Sequence, residues 1–245
     1  MAWAVLVVRD IFLASAAFGH GDVIKPMPEH DGIRAYMHTD QPVPERIAAT
    51  WTSVTEPLEP RRDIPAKLRA YFFKHQIQRN DFVRQAQWLV WMDASIHLFE
   101  TDFIREWCAK LNKEPGPRRC LFIPHQQRKM IGEEADFIRE QIEARNPYVM
   151  RRYNIKATTA QMTRLLQYDD AAYTAPLYCG GFWIVENHPA YWQLLDAWWA
   201  EHMRFGDGAI DQLALGALLQ RGGFEPNKLE VELFSNQHFA FVAHP

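Results

Sequence analysis

Cysteine is scarce in this chain. Three thiols, Cys108, Cys120 and Cys179, in 245 residues are too few and too scattered for a disulfide framework. No C-x-x-C pair occurs, which argues against a zinc knuckle. A reducing compartment, the cytoplasm, is the resulting expectation. A charge excess is missing as well: 27 Lys and Arg stand against 30 Asp and Glu, a formal net charge of −3. That removes any general electrostatic pull toward nucleic acid or an acidic membrane. No apolar run approaches the ~20 residues of a membrane-spanning helix. The opening MAWAVLVVRDIFLASAAFGHG contains an apolar run and an Ala-Ser-Ala. No basic residue precedes that run, and Arg9-Asp10 interrupts it, so a core strand is expected rather than a signal peptide. Repeats, low-complexity tracts and linkers are absent, so residues 1–245 read as one domain.

What is present is an ordinary globular composition, 48% apolar and 23% charged, in a chain long enough to bury a core without cross-links. Apolar runs at 10–17, 32–40, 50–56, 87–93, 120–125 and 177–187 read as strands. LEVEL near the C-terminus reads as a further short strand. Helical spacing appears over 61–77, 100–112, 132–145, 157–170, 188–205 and 208–222. Strands alternating with helices predict an α/β fold, a mostly parallel, mixed sheet covered on both faces. Ligands of such sheets bind at the carboxyl ends of the strands. Asp40, Asp93, His125 and the Gly180-Gly181 pair all fall at strand ends by this reading.

The strongest strand, QWLVWMD, ends on a carboxylate, followed by Ala94 and Ser95. On an extended chain alternate residues point the same way, so Asp93 and Ser95 can face one ligand. A carboxylate and a hydroxyl suit Mg²⁺ or Mn²⁺. A strand-terminal Asp that caps the next turn is the plainer reading. The Phe18-Gly19-His20-Gly21-Asp22 loop lacks the third glycine of a dinucleotide-binding turn, and no helix opens directly after it. Trp192, Trp198 and Trp199 on one predicted helix read as a core stripe rather than a sugar platform.

These stretches resemble one family of enzymes. WLVWMDASI resembles the strand and DxD element of glycosyltransferases with the GT-A (Rossmann-like) fold. AAFGHGDVIKP resembles the pattern xxFGxYDxLK of the plant TOD/MUCI-type glycosyltransferases and their bacterial and large-virus relatives. MHTD resembles xFTD, EPRRDIPAKLRAYFFKHQI resembles DPRRxAKxxKxxPHxx, and PHQQRKMIGEEADFI resembles xHxxRxxxYEEA. GGFWIVENHPAYWQLLDAWWAEHMRFGDGAIDQLAL resembles a glycine-containing strand, a helix and an RDQxS element. Order and spacing hold from about residue 10 to 220.

The resemblance implies a transferase that moves a sugar from a nucleoside diphosphate, expected to be UDP, to a hydroxyl of a glycan or glycoconjugate. It implies Asp93 and Ala94 at the donor, with Asp93, Ser95 and a C-terminal His (His238 first, His244 second) holding Mn²⁺ or Mg²⁺. Ser95 stands where the family places a second carboxylate, so metal affinity is expected to fall. Arg62, Lys67 and Arg128 are then the cations expected to help neutralise the diphosphate; as plain surface charges they need no such role. Phe18, Gly19 and Asp22 match the donor loop, Thr39 and Asp40 the base or ribose contact, and Gly180 and Gly181 the space for sugar and acceptor. Turn-forming and packing roles compete for each of these. Asp211 matches the family's DQ and is the expected catalytic base, or else a carboxylate favoured at a helix start. Ile210 stands where the family has Arg. The missing second Asp also raises the other reading, a catalytically silent glycan-binding or scaffold domain.

Overall fold

A computed structural model describes residues 10–19, 22–55, 63–166, 170–206, 209–232 and 234–242. Arg62 and His244, both expected near the site, lie outside the described residues, as do His20 and Gly21. The chain runs β1 (Ile11–Ala17), β2 (Ile33–Thr39), α1 (Glu45–Ala48), β3 (Ser53–Thr55), α2 (Ala66–His75), β4 (Trp88–Met92) and β5 (Ile96–Leu98). It continues through α3 (Asp102–Leu111), β6 (Cys120–Pro124), α4 (Ile131–Glu143), α5 (Pro147–Arg152), α6 (Ile155–Leu166) and α7 (Asp170–Thr174). It closes with β7 (Tyr178–Glu186), α8 (Pro189–Phe205), α9 (Asp211–Arg221), β8 (Asn227–Lys228) and β9 (Phe239–Phe241).

Seven strands form one sheet in the order β3-β2-β1-β4-β7-β6-β8. All neighbours are parallel except β7, which runs antiparallel to both β4 and β6. The expected α/β class, with a mixed and mostly parallel sheet between helices, is what the chain adopts. Side-chain alternation sorts the core into two faces. Ile11, Leu13, Trp88, Val90 and Met92 pack with Phe103, Ile104, Cys108 and Leu111 of α3. Phe12, Ala14, Leu89 and Trp91 pack on the other face with Tyr191, Leu195 and Trp198 of α8 and Ala214 and Leu215 of α9. By that alternation Asp93, next after Met92, turns toward α2, α8 and α9. Among the described residues no helix is long and apolar enough to cross a membrane.

Two expectations fail for local reasons. Among the described residues of LEVEL, 229–232, there is no strand: the short β8 precedes them, and the chain turns where the Val231 amide donates to the Leu229 carbonyl. The tryptophan stripe shrinks to Trp198, which is fully buried. Trp192 is 38% exposed and donates its indole N–H to Asn187, while Trp199 packs edge-on against Phe72.

Glycine inside α9 has a packing cause. A Cβ on Gly216 would stand 2.3 Å from the Pro176 carbonyl oxygen and 2.9 Å from Ile131. Gly216→Ala should therefore lower stability by about 1–3 kcal/mol, against the gain of about 1 kcal/mol that helix propensity alone gives. Urea unfolding reads the sign directly.

Candidate functional site

The carboxyl edge of the sheet is built around a buried lysine. Helix α2 turns Arg69, Lys74 and His75 inward. Lys74 is 2% exposed at its side chain, and its Nζ donates to Asp211 Oδ2 at 2.8 Å and to Asp93 Oδ1 at 3.2 Å. Aromatic faces of Tyr71 and Trp198 lie 5.6 and 5.7 Å from the ammonium. A buried charge of this kind persists only when paired.

Each partner is held in turn. Trp91 donates its indole N–H to Asp93 Oδ1 at 2.6 Å, and the Asp93 amide donates to the Gly181 carbonyl. Asp211 opens α9, where the helix dipole favours a carboxylate, and its Oδ1 accepts from the Gln212 amide. Gln161 of α6 grips Ile210 through both amide and carbonyl, and the Trp198 indole donates to the Asp211 carbonyl.

Gly180 and Gly181 have their cause here. A Cβ on Gly180 would meet Asp211 Oδ2 at 2.7 Å and Lys74 Nζ at 3.2 Å; one on Gly181 would meet Asp93 Oδ2 at 3.2 Å. The glycine pair makes room for the protein's own ion cluster.

The carboxylates differ. Burial works to raise Asp211, but the Lys74 ammonium outweighs it and holds the group below the ordinary carboxylate value. Burial dominates at Asp93, which stays raised despite Lys74. Lys74 is held above its ordinary value: Asp211 and then Asp93 overcome the opposing effect of burial.

A cavity of about 470 Å³ opens beside this cluster, within the size range of ligand clefts. Phe18, Gly19 and Asp22 line one side, Asp93, Ala94 and Ser95 another. Ala66, Lys67, Ala70, Tyr71 and Lys74 of α2 supply the third. Lys25 ties the walls together by donating to the Ala94 carbonyl at 2.6 Å and to the Val23 carbonyl at 3.1 Å. Seven expected residues thus meet: Phe18, Gly19, Asp22, Lys67, Asp93, Ala94 and Ser95. A larger cleft of about 700 Å³ lies near the start of β7, lined by residues such as His125, Lys129, Tyr178 and Lys228, and contains none of the ion cluster.

Other expected residues lie elsewhere. Asp40 accepts from the Gly19 amide at 3.0 Å and from buried Arg69 at 2.7 Å, so it pins the loop rather than facing the cavity. Gly19 takes a φ of +71°, which suits glycine. Thr39 is buried, with Oγ1 accepting from the Gln41 amide. Arg128 pairs with Glu134 at the start of α4 and lies over Phe137, outside the cavity wall.

The expected metal set does not assemble among the described residues. Residues 93–96 form a turn, the Ile96 amide donating to the Asp93 carbonyl, so Asp93 and Ser95 are not alternate residues of an extended strand. His238 bonds Glu100 through Nδ1 at 2.5 Å and stacks on Phe103. It stands opposite Phe99, while Val242 is the residue that reaches the Ser95 carbonyl. Among the described residues no three His, Cys, Asp or Glu side chains group as metal ligands. Lys74 fills the space between the two carboxylates. The residues present do not fit a resident Mn²⁺ or Mg²⁺ held as the family pattern implies.

Sequence comparison does not extend this picture. The chain matches no protein-family model and no curated protein.

Lys74 itself had a sequence signal. It lies seven residues after Lys67, two helical turns along the same face, with Tyr71 between them.

Asp211→Asn should destabilise the protein on the order of 3 kcal/mol at neutral pH, since it removes the closer partner of a buried ammonium. Asp93→Asn should cost less, because its contact with Lys74 is longer, 3.2 against 2.8 Å, and its side chain is the more exposed of the two. The sign for Asp211 follows from its lowered value: its contribution is full above the ordinary carboxylate pKa and lost as pH falls toward the lowered one. Asp211→Asn should therefore flatten that acid limb in urea unfolding across pH. Greater loss from Asp93→Asn would make Asp93 the principal partner of Lys74. Ser95→Asp should leave Mn²⁺ affinity within about twofold of the native chain, because the 93–96 turn does not align position 95 with Asp93 as an extended strand would. Binding tightened about tenfold or more by calorimetry would mean that position 95 does share a ligand face with Asp93.

Proposed function

We propose that this chain is a GT-A glycosyltransferase moving a sugar from a nucleoside diphosphate, UDP in the first instance, to a hydroxyl of a glycan or glycoconjugate. The observation that carries the reading is the cavity at the carboxyl edge of β1 and β4. There the Phe18-Gly19 turn, the Asp93-Ala94-Ser95 turn and the basic face of α2 meet. The likeness to the TOD/MUCI-type family, in which the same stretches carry the donor, supports it.

In this reaction the acceptor oxygen bonds to the anomeric carbon. The bond from that carbon to the diphosphate oxygen breaks, and the electron pair leaves with the nucleoside diphosphate. The hydroxyl proton passes to a carboxylate, for which Asp211 is the candidate in an inverting transfer. Held by Lys74, Asp211 is a weak base, so it acts only when that contact loosens. Phe18, Gly19, Asp22 and Lys67 bind the donor, and Asp93 orients it. Three buried, unpaired thiols suit a cytoplasmic setting.

Calorimetry with UDP and UDP-sugars, paired with a UDP-release assay, tests the proposal. Binding at the cavity should accompany slow release of UDP from at least one sugar nucleotide. Asp93→Ala should cut that release about 100- to 1,000-fold. If no nucleoside diphosphate binds, the donor assignment fails. Binding without release from any sugar nucleotide marks a silent domain.

A further inference from the structure

Lys74 holds the position that a divalent ion would need. An ion bridging Asp93 and Asp211 would have to displace the ammonium, which lies within hydrogen-bonding distance of both. An ion on Asp93 and Ser95 alone would have one carboxylate and one neutral hydroxyl, beside a charge of its own sign. The lysine is caged and not adventitious. Two carboxylates stand against it, Tyr71 and Trp198 flank it, and Gly180 leaves the space that any side chain would take from it. Yet Lys74 forms part of the cavity wall, on the helix face that also carries Lys67.

We propose that Lys74 is the resident cation of this site, binding the diphosphate of the donor so that the chain takes up and turns over its donor without a divalent metal. The inference rests on the nucleotide-sugar reading above. It also couples binding to chemistry. A diphosphate that draws Nζ toward the cavity releases Asp211 from its 2.8 Å contact, and the carboxylate regains the basicity needed to accept the acceptor's proton. Donor binding thereby arms the base, and the empty site keeps it quenched.

The test uses the full chain and UDP as probe, titrated after exhaustive EDTA treatment and again with excess Mn²⁺. The two dissociation constants should agree within about twofold. Lys74→Met should weaken UDP binding about 10- to 100-fold, the loss of a charge-assisted hydrogen bond. If Lys74→Met alone fails to fold, the double variant Lys74→Met/Asp211→Asn removes the closer and less exposed of the two carboxylates left unpaired and is compared with Asp211→Asn. Native binding that requires Mn²⁺ would overturn the inference while leaving the donor reading intact, as would undiminished binding by the lysine variants. Absence of UDP binding in both conditions would overturn the donor reading, and the inference with it.

Discussion

The contact between Lys74 and its two carboxylates constrains everything around it. A lysine at 2% exposure is tolerable only if opposite charge reaches it, and here that charge comes from two distant parts of the chain. Asp93 arrives at the end of β4 and Asp211 at the start of α9, 118 residues later by the numbering. The end of α2 must meet both. Side chains at 180 and 181 must be absent, because the ions occupy their space. A cluster assembled from four elements is a geometric lock: a shift of any one would strand a charge without its partner. That is a demanding arrangement for stability alone, since an apolar core of the same shape would be no less stable. Its cost makes sense where Lys74 and Asp93 line a cavity, as they do here, with Asp211 behind them on Lys74.

Sheet topology explains how the elements meet. Strands β1 and β4 run parallel, so the Phe18-Gly19 loop and the Asp93 turn leave from one edge. Strand β7 runs the other way, which brings its beginning, not its end, to that edge. The glycine pair therefore lies beside Asp93 although it sits near the start of its strand. Asp40, leaving β2 at the same edge, is spent on the Gly19 amide and Arg69. It acts on the cavity at one remove, by fixing the backbone turn that forms the wall.

The sheet and its long helices were legible because buried strands and amphipathic helices leave periodic apolar patterns. The cavity loops were legible for a related reason: strand ends can be located, and ligands of α/β sheets gather there. Lys74 leaves only its spacing from Lys67 as a trace, because its helix buries a polar face. With Arg69, Lys74 and His75 inward and Tyr71, Phe72 and Phe73 only partly buried, hydrophobic periodicity points to no obvious side. Asp93 and Ser95 do not alternate as strand residues because a hydrogen-bonded turn begins where β4 ends, and apolar patterning does not mark that point. The place of His238 depends on register, since pairing between β5 and β9 puts it opposite Phe99 and away from the Ser95 end. Register across strands remote in sequence leaves no local trace.

Two histidines complete the electrostatic logic. The rings of His75 and His202 lie 4.6 Å apart and tilted, against Trp198 and Tyr71 respectively, the two aromatics that flank Lys74. Burial is the main cause that holds both imidazoles neutral, His202 down to about 4 and His75 well below its ordinary value. Their neutrality matters because either one, if charged, would oppose Lys74 and compete for Asp211, whose field already reaches His202. Kept neutral, they pack with the aromatic rings that flank the ammonium. Of the lysines on α2, Lys74 is placed so that an incoming anion and a resident carboxylate must compete for it.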